Sequence, residues 1–355
     1  MDLKNKTLEE WLEKQKKDKF PMRGKIKMYT AMKEYLDKDI HPYATAFASI
    51  KDGSYLTDHG PGHIKKVIIK ASELVDHEAF ILTPYEVYLL LVAIHFHDIG
   101  HIEAGRYQHE INARKVMQNV GNILGNDNTE KTYICDIAEA HGGSIAGDKD
   151  KISLLTETDS SNNQNIRPQL LAAILRFADE LSDDRERAAE YLMKQKKLPP
   201  SSEIFHRYAY ALHTVKIDHM RKTVKMCFEL DRENVSQKYR KDGEEIFLLD
   251  EIYKRTLKTY CECLYCMRFI SPFFPVIQIS SINVEIKFLD EKLKEFREKI
   301  FYRLADTGYP DSSIMDIFSM CPNELKINGD NLTGGKLKEL VGKNKQGGEK
   351  NDYRY

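Results

Sequence analysis

Eight of the twelve histidines in this 355-residue chain fall between His59 and His141. Several stand beside or near carboxylates. An imidazole offers a neutral nitrogen donor and a carboxylate a hard anionic oxygen, a pairing that suits a mid-row or hard divalent ion that keeps bound water. The densest cluster is Ile94-His95-Phe96-His97-Asp98-Ile99-Gly100-His101, in which His97 and Asp98 end a strongly apolar run. A carboxylate buried there is costly unless a cation neutralises it, and a divalent metal is the natural candidate. Asp58-His59-Gly60-Pro61-Gly62-His63 sets His63 at the start of an apolar-striped helix. Leu175-Arg176-Phe177-Ala178-Asp179-Glu180-Leu181 sets Asp179 on the apolar side of another, with Glu180 as the alternative acid. His63, His97, Asp98 and Asp179 are therefore the candidate metal donors. With His109 and His141 the set grows to six, enough for two ions bridged by Asp98. His95 and His77 read as core residues.

These residues need helices to hold them. Apolar residues recur with a period near 3.6 over His63–Leu74, Pro84–His97, His109–Ile123, Thr129–His141 and Pro168–Ser182. Pro84 and Pro168 occupy first-turn positions, and Gly100 and Gly142-Gly143 fall where helices stop. Residues 51–197 thus form an all-helical domain, interrupted by a polar loop from Ser153 to Arg167. Residues 1–50 carry scattered apolar residues at near-helical spacing and are expected to pack on that domain as helices.

After Leu198-Pro199-Pro200 the pattern changes to β-branched alternation over Tyr208–Asp218, Thr223–Leu230 and Ser281–Phe288. A helix is expected over Glu244–Ile270 and another over Glu291–Ala305. Residues 201–330 therefore read as a smaller α+β module, a small antiparallel sheet backed by the first of these helices. Residues 331–355 are Gly- and Lys-rich and are expected to be a mobile tail. The fold class is mainly α: a helical bundle followed by this module.

Composition narrows the function classes. Lys and Arg number 54 against 55 Asp and Glu, so bulk charge gives no reason to expect nucleic acid or a membrane as the main partner. The N-terminus lacks the apolar core of a signal peptide, and the longest apolar run, Val87–Ile94, is too short to span a bilayer, so a cytoplasmic location is expected. Three of the six cysteines crowd into Cys261-Glu262-Cys263-Leu264-Tyr265-Cys266 without a second cluster to complete a zinc site, and all six read as reduced thiols.

His63, then His97-Asp98, then Asp179 on successive helices resembles the H…HD…D signature of the HD-domain metal-dependent phosphohydrolases, over residues 55 to 190. That resemblance implies a helical-bundle fold in which the four residues bind a metal whose water attacks phosphorus. His97-Asp98-Ile99-Gly100-His101 followed by Gln108-His109-Glu110 is similar to elements of dNTP triphosphohydrolases. By position, His101 and His109 would then bind or protonate the phosphate chain. Arg106, with His141 and Lys66, would bind substrate. The family's intervening acid has no clear counterpart, Glu103 being the nearest.

His59 and His63 also match the HxxxH spacing of cyclic-nucleotide phosphodiesterases, which would make His59 a proton donor. The polar loop and the α+β module look more like HD-type proteins of bacterial conflict and phage-defence systems. The expected activity is hydrolysis of a dNTP to deoxynucleoside and triphosphate, with Mg, Mn, Fe or Zn as one ion or two. The alternatives are a phosphodiesterase for a cyclic nucleotide or (p)ppGpp-like signal, and an inactive regulatory nucleotide-binding subunit. A nucleotide effector and a homo-oligomer or partner protein are further expectations from the resemblance.

Overall fold

The computed structural model describes residues 2–15, 21–44, 46, 54–104, 109–306, 316–321 and 323–343. Its helical part comprises α1 (Leu8–Leu12), α2 (Lys25–Asp39), α3 (Pro61–Val75), α4 (Pro84–Phe96), α5 (His101–Ala104), α6 (His109–Val120), α7 (Asn128–Glu139) and α8 (Pro168–Glu180). The short α9 (Glu190–Lys194) and α10 (Pro200–Ala211) lead into the second part. No helix among the described residues is long and apolar enough to cross a membrane.

The central element is α4. Its sequence is apolar on every face, and every residue from Tyr85 to Phe96 is buried, as expected of a helix enclosed on all sides. It starts sharply. Thr83 accepts from the Glu86 amide, the Glu86 carboxylate accepts from the Thr83 amide, and Pro84 occupies the first turn. The Glu86 charge is also met by a fork of two Arg167 donors at 2.7 and 2.8 Å. The helix ends on His97 and Asp98. Around it, α1 and α2 contribute Leu8, Leu12, Met32 and Leu36 to the same core, and the Leu8 amide donates to Ser72 Oγ on α3 at 2.9 Å.

The second part is built on β3 (Leu212–Asp218), β4 (Thr223–Leu230), β7 (Ser281–Leu289) and β8 (Glu295–Ala305) in the order β3-β4-β7-β8. A hairpin, β5 (Lys238–Lys241) and β6 (Glu244–Phe247), follows the short α11 (Arg232–Ser236) and precedes the long α12 (Leu248–Ile270). A smaller hairpin, β1 (Asp159–Ser161) with β2 (Gln164–Ile166), lies within the polar loop before α8.

Several expectations are corrected. The sheet is mixed, since β4 and β7 run parallel while the outer pairs are antiparallel. A parallel pair needs a long crossover, and the segment containing α12 supplies it. Tyr208–Ala211 completes α10 before the strand begins. Glu244–Phe247 is a strand, turned by Asp242 and Gly243 at positive φ, so the helix starts only at Leu248. Glu295–Ala305 is also a strand. Its helix-forming Glu and Lys residues mislead, but Ile300, Tyr302 and Leu304 alternate inward against β7. The stretch from residue 331 is not wholly a tail: Gly334–Lys343 is a helix, Leu332 and Leu337 are buried, and the Gly334 amide donates to Asp250 at 2.7 Å. Residues 344–355 lie outside the described residues. All six cysteines are free thiols.

Candidate metal centre

Four donor atoms converge where α3, the end of α4 and the end of α8 meet. His63 Nε2 lies 3.3 Å from His97 Nε2, 3.4 Å from Asp98 Oδ2 and 3.2 Å from Asp179 Oδ1. His97 Nε2 lies 3.2 Å from Asp98 Oδ2 and 3.6 Å from Asp179 Oδ1. A point equidistant from atoms spaced this way is about 2 Å from each, the bond length of zinc and similar ions to imidazole and carboxylate. Glu180, the alternative acid, turns instead to Lys258 at 2.6 Å and Thr259 at 2.8 Å.

The histidine tautomers fit this role. A carbonyl can only accept, so the ring nitrogen facing one carries the proton. His97 Nδ1 donates to Ile94 O at 2.7 Å, His141 Nδ1 to Ala138 O at 2.5 Å and His59 Nδ1 to Thr57 O at 2.5 Å. His63 Nδ1 meets Ser182 Oγ at 3.2 Å, and that hydroxyl donates its own proton to Asp179 O at 2.7 Å. Each Nε2 is thereby left with its lone pair toward the centre, the arrangement a metal-binding histidine requires. Burial alone would lower the pKa of His97, but the Asp98 and Asp179 carboxylates outweigh it and hold it well above the ordinary value. Asp98 is held well below its ordinary value, because the rings of His97, His109, His141 and His63 around it outweigh its burial. The donors present thus fit a divalent cation.

Asp98 divides the site. Its Oδ2 faces His63 and His97, while its Oδ1 lies 3.3 Å from His109 Nε2, 3.5 Å from His141 Nε2 and 3.7 Å from His101 Nε2. Asp98, His109 and His141 form a second group of ligand-type atoms within 4.8 Å of one another. His101 stacks on His109, with centroids 4.2 Å apart and planes 4° from parallel. His109 Nδ1 lies 3.4 Å from Glu110 Oε2, which places an acid beside these rings.

Two glycines make this packing feasible. A Cβ on Gly100 would lie 1.8 Å from the His109 carbonyl oxygen, and one on Gly143, at φ +74°, would lie 1.9 Å from Glu110 Oε1. Gly100 lets α6 approach the His97-Asp98 turn closely enough to seat His109 against Asp98.

His59 is near but engaged. Its Nε2 is 4.0 Å from Asp98 Oδ2, and an Arg187 N–H points at the same nitrogen from 3.3 Å. Burial, reinforced by Arg187, holds its pKa well below the ordinary value. Lys66 pairs with Asp184 and Glu186 and is not among the residues lining the cavity over the centre. Arg106 lies outside the described residues. His95 is buried in the core, as expected.

The cavity, about 530 Å³, has a second wall that residue patterns did not reveal. Arg255 and Lys258 project into it from α12, and Arg187 joins them from the segment after α8. Asp183 holds two of these cations, accepting from Arg187 at 3.1 Å and from Arg255 at 2.7 Å. Arg176, also lining the cavity, is forked onto Glu262 at 2.7 and 3.1 Å. The available signal was the one-turn spacing of Arg255, Lys258 and Glu262 along a helix whose remaining face is apolar.

Comparison with curated proteins and with solved structures yields no match. A family model, HD-CE, matches residues 53–257, which takes in every donor named above and runs on through β3–β6 to Arg255 on α12. With its histidine–aspartate centre fitting a metal-dependent hydrolase, and with more than half its length matched, the chain belongs to the HD-CE family of HD-type domains.

Proposed function

We propose that the chain is a metal-dependent nucleotide phosphohydrolase that converts deoxynucleoside triphosphates to deoxynucleoside and triphosphate. The observation that carries this reading is the pairing of a donor wall with a cationic wall across one cavity. The cavity adjoins a larger space of about 1260 Å³ whose lining holds seven Lys or Arg against three Asp or Glu. In a chain of net charge −1 such a local excess favours an extended anion, and a triphosphate tail is one. The preference for a deoxyribose rests on the resemblance in the histidine motifs.

His63, His97, Asp98 and Asp179 would hold the ion. When bound, a divalent ion supplies Lewis acidity and makes a nucleophile available at neutral pH. Arg187 and Arg255, held by Asp183, would orient the phosphates. His109 is the best-placed proton carrier, because Glu110 beside Nδ1 orients the ring and leaves Nε2 on the cavity side to deliver a proton to the departing sugar oxygen. His101, stacked on it, fixes the ring's plane. His141 holds Nε2 toward Asp98.

A second reading is a phosphodiesterase for a cyclic nucleotide or a (p)ppGpp-like signal. It is favoured by the split of Asp98, whose two oxygens face two donor groups suited to two ions. Incubating the protein, loaded in turn with Mg, Mn, Fe and Zn, with dNTPs, NTPs, cyclic nucleotides and ppGpp separates the two. Triphosphate release supports the first; a nucleoside monophosphate from a cyclic nucleotide, or pyrophosphate from ppGpp, supports the second. No turnover with any metal sinks both and leaves a regulatory nucleotide-binding role.

A further inference from the structure

We propose that Asp37, His41 and His95 form a second divalent-metal site, structural in role, that fastens the N-terminal helix α2 and the turn after it to α4. None of the three is among the residues lining either cavity. His41 Nε2 and His95 Nδ1 are 3.2 Å apart, and Asp37 Oδ1 is 4.0 Å from each. A point equidistant from these three atoms lies about 2.2 Å from each, at the long end of zinc–imidazole and zinc–carboxylate bond lengths. Asp37 lies in the last turn of α2 and His41 two residues beyond its end, where the chain resumes a helical course.

The tautomer of His95 suits ligation. Its Nε2 lies 3.2 Å from the Tyr29 hydroxyl, which gives its own proton to Glu9 Oε1 at 2.6 Å. Nε2 is therefore the protonated nitrogen and Nδ1 carries the lone pair. The chain His95–Tyr29–Glu9 is the kind of outer support that fixes a metal-binding imidazole, ending in a carboxylate. A hydrogen bond from His41 to His95 would also account for the ring pair. It would leave Asp37 Oδ1 buried with no partner, however, and that atom sits beside both rings. Lys33, whose ammonium could have neutralised Asp37, is engaged by Glu9 at 2.6 Å. A cation bonded to all three atoms satisfies the orphan oxygen and the His95 lone pair together, with His41 in its Nδ1–H tautomer as the third donor. Two imidazoles and one carboxylate suit zinc or a similar borderline ion, with water in the remaining position.

The test is zinc content and thermal stability of the full chain after loading with Zn²⁺ and desalting. Asp37→Asn preserves shape and the ring pair, and the site is partly solvent-accessible at Asp37, so the variant should fold. It is expected to hold one zinc equivalent less than the unmodified chain and to melt lower in zinc but not in EDTA. Asp98→Ala, which disrupts the centre at the cavity, is expected to keep the equivalent that Asp37→Asn loses. His41→Ala should match Asp37→Asn in zinc content. Unchanged zinc content in Asp37→Asn and His41→Ala, with an equal or higher melting temperature for Asp37→Asn, would overturn the proposal. That is the outcome for a plain hydrogen-bonded pair relieved of an unpartnered carboxylate. Because zinc content is the readout, the result stands whether or not the cavity proves to hydrolyse nucleotides.

Discussion

The donor wall and the cationic wall of the cavity solve different electrostatic problems. On the first, His63, His97 and Asp98 are almost wholly enclosed, and each histidine has its outer nitrogen tied to a carbonyl or hydroxyl. Position is fixed there and charge is left incomplete, to be closed by an ion. On the second, Arg187, Arg255 and Lys258 already have carboxylate partners in Asp183 and Glu180, yet they line open space. Charge is balanced there, while donor directions remain free for a ligand. The donor wall gathers two imidazoles and two carboxylates on one point, whereas the cationic wall rests on its own acids. The difference teaches that one wall fixes the spacing of donor atoms while the other fixes balanced charge along open space.

The contrast can be broken from either side. The largest effect is expected for Asp98→Ala, which removes the carboxylate common to both donor groups. Metal content should fall and turnover should drop about 10³-fold, equivalent to about 4 kcal/mol of transition-state stabilisation, as read by metal analysis and product assay. Retained metal with retained turnover would refute the assignment of the donor wall. Ser182→Ala leaves every donor in place but frees His63 Nδ1, and metal affinity should weaken by about 10–100-fold, measured by competition with a chelator.

The smallest effect is expected on the cationic wall. Arg255→Ala should raise KM about tenfold with metal content unchanged, the loss of one charge-assisted contact at about 1.4 kcal/mol. It also carries a pH signature. Burial would raise the Asp183 carboxyl, but Arg255 and then Arg187 outweigh it and hold it below its ordinary value. A depressed carboxyl stabilises the fold above its unfolded pKa of about 3.9, and that stability is lost as pH falls through the folded value. Removing Arg255 brings the two values together, so acid unfolding should begin at higher pH and its dependence on pH below about 4 should flatten. An acid-unfolding curve identical to that of the unmodified chain would show that Arg255 does not act on Asp183.

The donor wall was legible in sequence because its chemistry is local. His97-Asp98 at the end of an all-apolar helix is anomalous by itself, and Asp179 between Ala178 and Leu181 is nearly so. The cationic wall was not legible, because Arg255 and Lys258 look like ordinary solvated charges on α12. Only the packing of α12 against α8 makes them face the cavity. The HD-CE match runs past the Pro-Pro break to residue 257, and α12 serves the sheet and the cavity at once. Misreading Glu295–Ala305 as a helix had another origin. Its alternation covers only Ile300, Tyr302 and Leu304, and its pairing with β7 outweighs the helix preference of its charged residues.

The hydrogen bond between His63 and Ser182 joins positions 119 residues apart in sequence, and the Asp183–Arg255 pair adds a further span of 72. Contacts of such separation carry a high loop-closure entropy and form late in folding. During synthesis, a chain emerging from its N-terminus can complete α3 and α4 long before it has the residues that orient His63 or face Asp98. An ion captured at this centre before α8 is made would find three of the four donors and lack Asp179.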